Sequence, residues 1–123
     1  MMLLKQSSRL YVQTAQLDAA IAFYEQLQAV PCERRIPFPQ MGIDVAVVGA
    51  FILLAGDAAA LAPVRHVRAT LTVAKLDAVI PWLHARGGVL LSGPVDAAFG
   101  RHLTARHPDG LVVEYFEAAP LAG

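Results

Sequence analysis

Two stretches of this chain repeat each other. Residues 9–27 read RLYVQTAQLDAAIAFYEQL, and residues 68–86 read RATLTVAKLDAVIPWLHAR. At a constant offset of 59 positions they agree at Arg9/Arg68, Ala15/Ala74, Leu17/Leu76, Asp18/Asp77, Ala19/Ala78 and Ile21/Ile80, and Phe23 is answered by Trp82. Each copy opens with a segment that alternates between its two faces, the mark of a half-buried strand. Each then places apolar residues at helical spacing: Leu17, Ala20, Ile21, Tyr24 and Leu27 in the first, Leu76, Val79, Ile80 and Leu83 in the second. Asp18 sits at the start of the first helix, where a negative charge favours the dipole.

Three short apolar stretches follow each helix. In the first copy they are Glu33–Pro37, Ile43–Val48 and Ala50–Ala55, with Gly49 as a tight turn between the last two. In the second they are Val89–Ser92, His102–His107 and Leu111–Glu117, with the turn sequence HPDG before the last. Pro31 blocks continuation of the first helix, and Gly87 suits a left-handed cap on the second. Pro81 fits its helix only near the first turn, where amides have no partners. The reading is a single domain, 1–123, of two βαβββ modules at 8–56 and 66–118, joined by a linker at 57–65. Its fold class is α+β, with the two modules forming a curved eight-stranded mixed sheet around a cleft. A sheet with one helix covers only one face, and two such sheets can turn their open faces toward a shared space.

Composition narrows the function classes. Apolar residues make up 56% of the chain, charged residues 16%, and the formal net charge is zero. That argues for a packed core and against nucleic-acid binding. Cys32, the sole cysteine, excludes an internal disulfide and reads as a strand residue. No stretch is long enough for a membrane helix, and the first ten residues lack a signal peptide's apolar core. The expectation is a cytoplasmic protein with no membrane partner, whose surplus apolar surface suits a homodimer.

Alternation assigns the faces. Leu10 and Val12 meet the helix, which turns Arg9, Tyr11 and Gln13 to the cleft. Ala69, Leu71 and Val73 pack inward, leaving Arg68, Thr70 and Thr72. Leu103 and Ala105 leave His102, Thr104 and Arg106; Leu111, Val113 and Tyr115 leave Val112, Glu114 and Phe116. The expected ligand-binding set is Arg9, Tyr11, Gln13, Arg68, Thr70, His102, Thr104, Glu114 and Phe116. Two arginines can clamp a carboxylate or phosphate through their planar forks. Tyr11, Phe38 and Phe116 can stack on a flat ligand. Trp82 reads as packing, and His107, against the PDG turn, as exposed. No nucleophile stands beside a recognisable base, so catalytic residues are unassigned.

With AIAFYEQL after the first strand and HPDGLVVEYFE at the end, residues 9–117 resemble the vicinal oxygen chelate superfamily. It includes glyoxalase I, extradiol dioxygenases, fosfomycin-resistance enzymes and bleomycin-resistance binding proteins. The resemblance implies metal ligands at the starts and ends of the modules. Those positions here are Arg9, Arg68, Glu114 and a residue near Leu53 or Leu54. Only Glu114 can ligate, since a guanidinium offers no lone pair. The expectation is therefore no metal and no cofactor. His66 and His102 are the groups that could substitute.

The reading is a metal-free protein that binds a small organic molecule, with anions among the candidate ligands. Resemblance to the bleomycin-resistance proteins implies antibiotic resistance by sequestering a drug or metabolite, although a neutral chain with a basic cleft argues against bleomycin itself. The alternative is a metal-dependent glyoxalase- or dioxygenase-like enzyme on Glu114 and histidines. A third reading is a vestigial cleft on a protein that works through its dimer surface.

Overall fold

The computed structural model describes residues 2–97 and 99–120. Their eight strands form one mixed sheet, and the fold class is α+β. The residues group into two compact units. Ser7–His66 is the N-terminal unit; Val67 onward, with the residues before Ser7, is the C-terminal unit.

The N-terminal unit holds α1 (Leu17–Gln28), β2 (Arg34–Phe38), β3 (Ile43–Val48), β4 (Phe51–Ala55) and α2 (Ala58–Leu61), together with most of β1 (Leu3–Val12). Its strands run in the order β2-β3-β4-β1. β1 lies parallel to β4; the other neighbours are antiparallel. Leu17 and Ile21 of α1 pack on Ala46, Val48, Leu53 and Ala55, with Leu10, Val12 and Tyr24 at the margin. Gly49, at φ +58°, opens the two-residue loop between Val48 and Phe51, a position that favours glycine. Gln28 ties the helix end to this hairpin: its Nε2 donates to the Val48 carbonyl at 3.0 Å, and its Oε1 accepts from Ala50 N at 2.8 Å.

The C-terminal unit holds β5 (Ala69–Val73), α3 (Leu76–Ala85), β6 (Val89–Ala97), β7 (Gly100–Arg106) and β8 (Val112–Ala118), in the strand order β5-β8-β7-β6. β5 and β8 are parallel, the remaining pairs antiparallel. Leu76, Val79 and Leu83 of α3 pack on Ala69, Val73, Leu103, Ala105, Val113 and Tyr115. The helix ends in a Schellman motif: Gly88 N donates to Leu83 O at 2.9 Å and Gly87 N to His84 O at 3.2 Å, with Gly87 at φ +88°.

Several expectations need correction. β1 begins at Leu3, ahead of its apolar alternation, because backbone pairing carries it: Ala74 N donates to Met2 O at 3.4 Å. Helix α1 stops at Ala29, a non-glycine residue at φ +55°, before Pro31 is reached. Cys32 lies two residues ahead of β2, its amide held by the Glu25 carboxylate at 2.7 Å. The segment 57–65 is not bare linker, since Asp57 caps α2 by accepting from Ala60 N at 2.7 Å. β6 runs on to Ala97 through two register shifts. Pro81 lies past the first turn of α3, where its missing N–H leaves the Asp77 carbonyl without its helical bond. Trp82 is exposed, with the Arg86 guanidinium 4.6 Å from its ring. His107 is half-buried and shares a 2.6 Å hydrogen bond with the Tyr115 hydroxyl.

Candidate functional site

In the C-terminal unit, strand pairing assembles a row of polar side chains from three strands. Thr70 on β5 and Thr104 on β7 both lie opposite Glu114 on β8. The next row places Thr72 and His102 opposite Phe116. These residues share a face because the alternating ones, Ala69, Leu103, Ala105, Val113 and Tyr115, are drawn to the α3 side by burial. Thr70 Oγ1 donates to Glu114 Oε1 at 3.1 Å, and His102 Nδ1 lies 3.6 Å from Glu114 Oε2. The two contacts fall on different oxygens of one carboxylate. Thr70 is 4% exposed, so its hydroxyl needs hydrogen-bond partners, and Glu114 is one. The Glu114 side chain keeps 24% exposure and that of His102 35%. A carboxylate that is partly exposed on a polar row is a hydrogen-bond acceptor within reach of the face it lines.

Arg68 lies one residue before β5 and is exposed, its amide donating to Val112 O at 2.9 Å. Phe116 is half-buried.

The N-terminal unit places Arg9, Tyr11 and Gln13 differently. The Tyr11 ring packs against the cluster of Ile43, Leu54 and Leu61. Its hydroxyl donates to the Val64 carbonyl at 2.7 Å and accepts from Arg9 Nε at 3.0 Å. Gln13 is exposed at the start of a 3-10 turn, Thr14–Gln16, and its amide donates to Gln16 Oε1 at 3.4 Å. Arg65, which sequence reasoning missed, holds its guanidinium 5.9 Å from the Tyr11 ring centroid. Only a helical turn after Asp57 could have signalled it, because that turn is what carries residue 65 back to the sheet.

Strand register also settles which residue mirrors Glu114. Tyr11 pairs with Leu54, and Thr70, its counterpart in the repeat, pairs with Glu114. Leu54 is 5% exposed beneath Leu61. A metal of the kind the resemblance implies does not fit this donor set. The four equivalent positions hold Arg9, Arg68, Leu54 and Glu114, and only the last can ligate. Among the described residues, no group of three or more His, Cys, Asp or Glu side chains comes together. Also among them, no helix is long and apolar enough to cross a membrane.

Tyr115, on the α3 side of β8, has its hydroxyl pKa raised by burial. It therefore stays protonated in its bond with His107.

Comparison with known proteins gives the fold firm company. Neither a protein-family model nor a curated protein matches the chain. Among solved structures, an uncharacterized protein from Methanosarcina mazei is 37% identical, with a TM-score of 0.89 over 100% of this chain and 98% of that one. Methylmalonyl-CoA epimerase from Mycobacterium tuberculosis is 20% identical, with a TM-score of 0.72 over 97% and 91%. Streptomyces coelicolor methylmalonyl-CoA epimerase, in complex with 2-nitronate-propionyl-CoA, is 17% identical, with a TM-score of 0.68 over 98% and 100%. At such identities the epimerases share the fold and no more.

Proposed function

We propose that this chain, which belongs by fold to the vicinal oxygen chelate superfamily, binds a small organic molecule without a metal ion. The observation that carries the reading is the state of Glu114. It stands where a relative would hold an ion. Here one oxygen accepts from Thr70 and the other faces His102. A divalent cation would need two or more further donors at Arg9, Arg68 and Leu54, none of which has one to give. With the cation's role gone, Glu114 becomes an acceptor and His102 a donor or acceptor for the ligand. Thr104 and Phe116 border them on the same face. In this reading the site sequesters a drug or metabolite.

A homodimer in the cytoplasm belongs to the same proposal. What supports association is exposed apolar surface on edge strand β6, where Val89, Leu90, Leu91 and Val95 are all more than a third exposed. The absence of charge except Asp96 along that strand also supports it.

The test has two arms. Protein purified without chelators should carry no stoichiometric divalent ion; a tightly held ion lost in Glu114→Gln overturns the reading. A thermal-shift screen of small organic compounds should find a binder whose saturation at a hundred times Kd adds about 2.7 kcal/mol. Thr70→Val and Glu114→Gln should each weaken that binder. Full binding in both variants places the ligand elsewhere and defeats the assignment.

A further inference from the structure

Strand β6 ends the sheet order on one side, and β2 ends it on the other. The two edges are defended differently. β2 carries Arg34, Arg35 and Pro37, residue types that keep an edge from pairing with other chains. β6 keeps Val89, Leu90, Leu91 and Val95 each more than a third exposed, and Asp96 is its one charge. On the α3 side, Leu90 joins Ile80, Leu83 and Leu103 in a groove of about 210 Å³, together with His84 and Gly88. That is room for an aromatic ring, since an apolar cavity of about 150 Å³ takes benzene. The same end of β6 is cationic. Arg86 is exposed, with its guanidinium 4.6 Å from the Trp82 ring and bonded to Trp82 O at 3.0 Å, and among the described residues it has no carboxylate partner. The far end of the strand holds the complements. Asp96 lies opposite Arg101, whose guanidinium reaches Asp77 of α3 at 3.3 Å, so Asp96 is also on the α3 side. Its side chain is 89% exposed, and Phe99, in the turn to β7, is 43% exposed.

We infer that this edge docks a second copy of the chain about a two-fold axis perpendicular to the sheet, with the two β6 strands antiparallel. Such an axis brings the start of one strand to the end of the other and keeps the α3 sides on one face. Phe99 of each copy then enters the α3–β6 groove of the other, and Asp96 of each meets the other's Arg86. A groove and a ring that fits it, a cation and its counter-charge, stand at opposite ends of one strand. A foreign partner would have to supply both complements; a second copy already carries them. Two register shifts and Pro94 interrupt β6, so side chains rather than a continuous backbone ladder carry the contact. This deepens the homodimer reading above by naming the groups that meet, and it rests on that reading.

Sedimentation equilibrium over a range of protein concentrations tests it, at low ionic strength so that screening does not hide the charge effect. The unaltered chain should dimerise. Phe99→Ala should raise the dimer Kd about thirtyfold. Arg86→Glu and Asp96→Arg should each raise it about tenfold, and the double variant that swaps the two charges should recover most of that loss. Far-UV circular dichroism confirms that each variant folds. Phe99→Ala leaves every charge in place, so it decides the question if Asp96→Arg disturbs Arg101, 3.4 Å away. A dimer unmoved by Phe99→Ala and by both charge reversals overturns this contact and leaves the homodimer reading standing. Charge variants that weaken the dimer without recovery in the swap overturn the pairing of the two strand ends. A chain that stays monomeric throughout ends both.

Discussion

The two copies of the repeated unit agree on one face of their sheets and part company on the other. On the helix side they are near-equivalents. Leu17 and Ile21 of α1 fill one core, and Leu76, Val79 and Leu83 of α3 fill the other. Even their acidic helix starts match: Asp18 pairs with Arg35 at 2.7 Å and Asp77 with Arg101 at 3.3 Å. On the opposite face, the N-terminal unit carries an apolar cluster against which the Tyr11 ring packs. Ile43, Leu54 and Leu61 form a second buried cluster there, closed by α2. In the C-terminal unit the same face is a polar row of Thr70, Glu114 and Thr104 beside His102. Duplication thus supplied two templates. One had its second face packed; the other kept that face for hydrogen bonding.

Exchanging the mirrored residues breaks this comparison most forcefully. Leu54→Glu puts a carboxylate into the buried apolar cluster beneath Leu61 and should cost about 4 kcal/mol or more. Glu114→Leu places an apolar group on a partly exposed polar row and removes one hydrogen bond of the Thr70 hydroxyl, at about 1 kcal/mol. Urea unfolding of both variants measures the asymmetry. Equal losses would mean that the two faces are not distinguished as described. Next in size is Leu61→Ala, which uncovers the apolar face and should cost about 2 to 4 kcal/mol; a loss near zero would show that α2 is not a cover.

Much of this contrast could be read from residue order. The run FILLA in β4 has apolar residues on both faces, the pattern of a doubly buried strand, whereas VVEYFEA in β8 interrupts its outer face with Glu114. What stayed hidden was the cover. GDAAALAPVR has the Gly, Asp and Pro of a linker, yet Asp57 ahead of AAAL is also an N-cap ahead of a good helix former. Four residues are too few to show a helical period, so only tertiary contact with Leu61 reveals the element. Likewise, the matching arginines of the repeat suggested equal roles. Register separated them, because Arg9 pairs within β1 while Arg68 precedes β5. The polar row itself was legible, since Thr70, His102, Thr104, Glu114 and Phe116 follow directly from alternation once Leu103 and Val113 are assigned to the core.

Asp57→Ala probes the same cover more gently. The cap accounts for one hydrogen bond to Ala60 N, and its loss should cost about 1 kcal/mol. The informative readout is local: amides of α2 should exchange faster while those of α1 do not change. Uniform acceleration across the N-terminal unit would mean that α2 opens only with the whole unit.

The smallest effect sharpens the helix-side likeness by finding a difference within it. Tyr115 sits in the α3 core with its hydroxyl bonded to His107, while its counterpart in the register, Ala55, has no polar atom to satisfy. Tyr115→Phe should cost about 1 kcal/mol near neutral pH, the typical net value of one hydrogen bond. Its pH dependence carries the sharper signature. Burial raises the folded-state pKa above the unfolded value of about 10. The folded state therefore keeps the proton where the unfolded state releases it. Stability is unaffected below the unfolded pKa and declines as pH climbs through and beyond it. In Tyr115→Phe that alkaline decline should shrink, so the two stability curves converge above about pH 10. Parallel curves would show that the decline comes from other groups and that Tyr115 is held only by packing.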